Sequence, residues 1–180
     1  MKRFTVLPKI STIIAVVLSL LSLGVQAEPL AVGRKAPDFV LKNQEGQTVS
    51  LAARAGQGWT VLYFYPKAGT PGCTTQACAF RDAIKQVRDQ NAEVYGISTD
   101  EVPALAEFHK EHRLNFTLLS DADARVTEAY GVKMPVVKMA KRWTFIVDPD
   151  LVIRDINDQV DPALDAKTVA ERIRQLKGKS

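Results

Sequence analysis

Residues 59–78 read WTVLYFYPKAGTPGCTTQAC, and the fold turns on the two halves of this stretch. Trp59 to Tyr65 is a nearly unbroken run of β-branched and aromatic residues, as expected for a central strand buried on both faces. Pro66 to Cys78 follows it and opens a helix. Thr70 is a good N-cap and Pro71 a good first helical residue, and the helical pattern runs to about Asp89. Cys73 therefore sits in the first turn, where free N–H groups and the positive end of the helix dipole favour a thiolate. Gly72 lets other groups approach the backbone closely. A cysteine at a helix start in an exposed loop is a nucleophile candidate on electrostatic grounds alone.

Upstream of this stretch, Phe39 to Lys42 and Thr48 to Leu51 flank Asn43-Gln44-Glu45-Gly46, a hairpin signal. Downstream, Glu93 to Ser98 reads as a second buried strand and Val102 to His112 as a helix with Leu105, Phe108 and His112 on one face. Phe116 to Leu119 is a short strand, and Ala124 to Tyr130 a short helix ending at Gly131. Trp143 to Val147 and Leu151 to Asp155 pair around Asp148-Pro149-Asp150, and Asp161-Pro162 starts a last helix reaching about Lys177. Strands alternating with helices, followed by an adjacent hairpin, predict an α/β sandwich with a mixed central sheet flanked by helices.

The 180 residues include 46% hydrophobic and 24% charged residues, which excludes disorder and low complexity. Residues 1–27 hold Lys2, Arg3 and Lys9 and no acid, so most of the formal charge of +4 belongs to them and the remainder is near neutral. A near-neutral body offers no electrostatic case for nucleic acid. The same 27 residues read as a secretory signal peptide. A basic start is followed by the apolar run Ile10 to Leu23 and by Val25-Gln26-Ala27, with small residues at the cleavage positions. The run is too short to span a bilayer, which takes about 20 apolar residues. The expected organisation is a leader over 1–27 and one domain over 28–180, exported to an oxidising compartment, the periplasm, with no stable membrane association after cleavage.

Cys73 and Cys78 are the only cysteines. At 100° per residue Cys73 falls on one line with Ala77, Phe80, Ile84 and Val87, while Cys78 lies among Asp82, Lys85 and Asp89 on the polar side. In a helix their Cα atoms are roughly 8–9 Å apart, beyond the limit of about 7 Å for a disulfide. If the two thiols bond, the first turn has to unwind, and the pair behaves as a switch. Several readings compete at this point. A structural bridge would close a very short loop and add little stability. A zinc site with His109 and His112 meets an unfavourable His-x2-His spacing. Copper delivery wants a nearer third ligand. Inert thiols sit badly with a helix-start cysteine. Disulfide exchange of the thioredoxin type remains a serious rival.

The motif Pro66-x3-Thr70-x2-Cys73 resembles the active site of peroxiredoxins, and the string TPGCTTQACAFRD from Thr70 to Asp82 resembles the bacterioferritin-comigratory-protein or PrxQ subfamily. Ala36-Pro37-Asp38-Phe39, Leu119-Ser120-Asp121, Tyr130-Gly131-Val132 and Arg142-x2-Phe145-Ile146-Val147-Asp148 extend the resemblance over nearly the whole body. It implies a thioredoxin-like fold with an N-terminal hairpin and a thiol peroxidase that needs no cofactor or metal. Carried residue by residue, it implies that Cys73 is the peroxidatic cysteine and Cys78 the resolving one, forming an intramolecular Cys73–Cys78 disulfide. Thr70 would hydrogen-bond the peroxide and the thiolate, Pro66 would shield the pocket from water, and Arg142 would stabilise the thiolate and the leaving oxygen. The partners implied are hydrogen peroxide or organic hydroperoxides and a thioredoxin-like reductant, with a monomer expected. The sequence departs from the pattern at Leu151, where the family usually has Gly, and in its leader. An exported thiol–disulfide oxidoreductase is the alternative, although the Cys-x4-Cys spacing and Lys141-Arg142-Trp143 before the strand do not suit it.

Overall fold

The computed structural model describes residues 30–178; the expected leader lies outside them. Seven strands, β1 (Val40–Asn43), β2 (Thr48–Ser50), β3 (Trp59–Phe64), β4 (Ala92–Ser98), β5 (Thr117–Ser120), β6 (Trp143–Val147) and β7 (Ile153–Asn157), form one sheet. Its order is β2-β1-β5-β4-β3-β6-β7. The three central strands β3, β4 and β5 run parallel, and the outer ones join antiparallel, so the sheet is mixed as expected. The helices are α1 (Pro71–Arg88), α2 (Val102–Glu111), α3 (Arg125–Ala129) and α4 (Asp165–Lys177).

All six residues of β3 are buried. Its alternation divides the core: Trp59, Val61 and Tyr63 face a layer built from α1, α2 and α4, while Leu62 and Phe64 face Val126, Tyr130, Phe145 and Ile153 on the other side. The stripe predicted for α1 is buried throughout, with Cys73, Ala77, Phe80, Ile84 and Val87 all packed in the first layer. Burying one such large side chain contributes about 1.5–3 kcal/mol. Phe80 stacks on Tyr63 with ring centroids 4.8 Å apart, which ties α1 to the middle of the sheet. Gly96 is the partner of Tyr63 in the parallel register and lies under its ring.

Several boundaries shift by a residue or more from the sequence reading, and three of the shifts have a clear local reason. β7 starts at Ile153 and not at Leu151, because the Asp148 carboxylate accepts from the N–H of Asp150 and of Val152 and holds the turn open for two more residues. Leu151 takes a left-handed conformation there (φ 59°), the role a glycine fills more easily. α4 starts at Asp165, not Asp161: the Asp161 side chain accepts from the Ala163 N–H and its carbonyl from Leu164 and Asp165, making a separate turn. Ala124 is left-handed (φ 61°), so α3 begins one residue late. The short 3-10 helix Ala52–Arg54 has no counterpart in the sequence reading.

Candidate active site

The C-terminal ends of the parallel strands hold the predicted site residues. β3 ends at Phe64, and the chain runs through Tyr65 and Pro66 into the loop that starts α1. The loop is pinned from the side: the Ala68 N–H donates to Asp100 Oδ2 at 2.8 Å, and Ser98 Oγ at the end of β4 donates to the same oxygen at 2.8 Å. Thr70 occupies the N-cap of α1, as predicted, but makes no side-chain cap bond. Its hydroxyl donates instead to the Lys67 carbonyl at 2.9 Å. That leaves the lone pairs of Oγ1 available as acceptors.

Cys73 is third in α1 and only 1% exposed, so the expectation of an exposed loop is corrected: the thiol lies on the inward stripe of the helix. Cys78 is half-buried, and both thiols are free in a continuous helix, as their spacing requires. Antiparallel pairing sets Trp143 opposite Phe64, which brings Arg142 beside Tyr65 and the loop after β3. From there Arg142 Nη2 donates to Cys73 Sγ at 3.3 Å. A Cβ at Gly72 would lie 3.2 Å from that same nitrogen, so the group that Gly72 admits is the Arg142 guanidinium.

The other arm of the guanidinium leads to residues that the sequence reading missed. Arg142 Nη1 donates to Gln76 Oε1, Gln76 Nε2 donates to Asp165 Oδ2 at 2.8 Å, and Thr144 Oγ1 donates to the same carboxylate oxygen at 2.8 Å. Gln76 carried a legible signal, being a polar residue three positions after Cys73 and so on the same helical face. Burial pushes the Asp165 carboxyl above the usual aspartate range, while its hydrogen bonds and the guanidinium act against that rise. Tyr63 and Tyr65 are held neutral, chiefly by burial. An open depression of about 780 Å³ is lined by Pro66, Met134, Arg142, Trp143 and the chain from Asp158 to Pro162. His109 bonds the Phe116 carbonyl and His112 packs edge-on against Phe108, so both histidines are occupied away from the cysteines.

Residues 32–156 match the family model described as the AhpC/TSA family. The chain belongs to that family. It is 42% identical over 143 residues to the chloroplastic peroxiredoxin Q of Triticum aestivum, a match covering 78% of this chain and 65% of the wheat protein. It is 43% identical over 136 residues to peroxiredoxin Bcp of Escherichia coli, covering 72% of this chain and 86% of that one. The chain thus spans just under two thirds of the plant relative and most of the bacterial one. Among solved structures, the peroxidoxin BcpB of Mycobacterium tuberculosis superposes with a TM-score of 0.77 at 35% identity, covering 82% of this chain and 98% of that one. The thioredoxin-like peroxiredoxin fold follows, with its hairpin of β1 and β2 placed antiparallel beside β5.

Proposed function

We propose that the chain is a thiol-dependent peroxidase acting on hydrogen peroxide and organic hydroperoxides. The observation that carries this reading is the guanidinium of Arg142, 3.3 Å from the sulfur of a cysteine in the first turn of a helix. A cation beside that sulfur, at the positive end of a helix dipole, stabilises the negative charge that passes to the leaving oxygen. Cys73 Sγ attacks the terminal peroxide oxygen, the O–O bond breaks, and the departing oxygen leaves with a proton as water or an alcohol. Cys73 is left as a sulfenic acid. Thr70 Oγ1 accepts the hydroperoxide O–H while donating to Lys67, and Pro66 closes one side of the approach.

Cys78 completes the cycle. Its thiolate attacks Cys73 Sγ, an S–S bond forms, and the sulfenic oxygen leaves as water. The first turns of α1 have to open for this, breaking bonds such as that from the Thr74 N–H to the Thr70 carbonyl at 2.9 Å. An external dithiol of the thioredoxin type then restores both thiols by exchange. A monomer suffices, because both cysteines belong to one helix. Export on residues 1–27 would put the protein in the periplasm as a single domain over 28–180; cell fractionation with and without the leader tests that.

Intact-mass spectrometry after one equivalent of hydrogen peroxide tests the chemistry. Wild type is expected to lose two hydrogens within seconds, Cys78→Ser to gain one oxygen on Cys73, and Cys73→Ser to remain unchanged. Equal, slow reaction of all three proteins would sink the peroxidase reading and favour disulfide exchange.

A further inference from the structure

Gln76 is fully buried, so both ends of its amide need partners. Arg142 has only donors, and its Nη1 can be met only by the oxygen end. The NH2 end must then find an acceptor inside the protein, and Asp165 Oδ2 supplies it at 2.8 Å. Asp165 is itself held in place: it is 2% exposed, begins α4, and receives Thr144 Oγ1 on the same oxygen. Its other oxygen, Oδ1, has no partner. Arg142 and Asp165 thus tell the two ends of the amide apart, one from each side. Without the carboxyl the buried NH2 group has no acceptor, and only the guanidinium still holds the amide in this orientation.

We propose that Asp165 is a positioning residue. It anchors the NH2 end of Gln76 and, through Gln76, holds Arg142 on Cys73; the proposal rests on the peroxidase reading of that site. Asp165 touches neither the sulfur nor a substrate, and it lies 89 residues from Gln76 in sequence. Oδ2 accepts hydrogen bonds whether or not the carboxyl carries a proton, so the anchor it provides does not depend on ionisation.

The test uses the full chain in a Cys78→Ser background, with the rate of oxygen uptake on Cys73 read by rapid quench and intact mass. Asp165→Ala is expected to slow the reaction about tenfold, the size of one hydrogen bond to a charged group. Asp165→Asn keeps an oxygen at the Oδ2 position and puts its NH2 where Oδ1 is unpartnered, so it recovers most of that loss and folds without a cavity. In a Gln76→Ala background, Asp165→Ala is expected to add less than about twofold, because the effect passes through Gln76. A rate within about twofold of the parent for Asp165→Ala, or a full loss that persists in the Gln76→Ala background, overturns the proposal. If the parent itself takes up no oxygen, the peroxidase reading fails instead. The same variants are then compared by iodoacetamide alkylation of Cys73, which requires the sulfur but no O–O cleavage and judges Asp165 on its own.

Discussion

Replacing Gly72 by alanine should separate stability from reactivity. Gly72 is the second residue of α1, and its Cβ-less face lies against Arg142 Nη2, which an added methyl would meet at 3.2 Å. That contact is tighter than the nitrogen tolerates, so the guanidinium has to retreat by a few tenths of an ångström. The same nitrogen donates to Cys73 Sγ at 3.3 Å. Moving it out to about 3.8 Å weakens a unit charge pair by about 0.7 kcal/mol at an effective dielectric constant of about 20, a factor of about three in rate. The backbone pulls the other way. Alanine is a better helix former than glycine by up to about 1 kcal/mol, which for a domain of this size is a rise of about 2–4 °C at most in Tm. Gly72→Ala is therefore expected to melt no lower than wild type while Cys73 oxidises about threefold more slowly. Stopped-flow peroxide kinetics and a thermal melt on one preparation give both numbers. In an Arg142→Ala background the substitution should cost no further rate. An unchanged rate in the wild-type background, or an undiminished loss without Arg142, would refute the reasoning.

Two further predictions concern the scaffold. Gly96→Ala puts a Cβ 2.6 Å from Cζ and the hydroxyl of Tyr63, a ring that is 1% exposed and wedged between Tyr65 and Phe80. It should cost about 2 kcal/mol and lower Tm by about 4–8 °C, read by calorimetry; a melt within 1 °C of wild type, within the roughly 2–4 °C that 1 kcal/mol is worth, would mean that the ring can move. Arg113 is exposed and left-handed (φ 49°) just beyond α2, where its N–H donates to the Lys110 carbonyl and the Leu114 N–H to that of His109. Those are the bonds of a glycine-type helix end, so Arg113→Gly should raise stability by about 1 kcal/mol in urea unfolding, and a loss would show that the arginine side chain contributes there.

What the sequence made legible was local. The run Trp59–Tyr65 declared a strand buried on both faces, and the spacing of Cys73, Ala77, Phe80, Ile84 and Val87 declared which side of α1 faces the core. That spacing also showed that the cysteines cannot bond within an intact helix. Arg142 was reached only through resemblance, because no periodicity relates it to Cys73; the antiparallel register of β3 and β6 brings them together. Asp165 was out of reach for the same reason. At Asp161-Pro162 the residues that start a helix also make a tight turn; the turn is what forms, and the helix waits until Asp165. Cys73 looked exposed because its loop is polar, whereas its position on the apolar stripe was the better guide.

On the proposed chemistry, carrying both cysteines on one helix turns its first turns into a timer. Once Cys73 is a sulfenic acid, two events compete for it: opening of the turn, which admits Cys78 at a rate independent of peroxide, and capture by a second peroxide, whose rate rises with dose. Their crossing point is the peroxide concentration at which repair gives way to irreversible oxidation. The capping and packing of α1 therefore define the enzyme's tolerance, and a substitution that stiffens the helix far from the sulfur would lower the dose the protein survives.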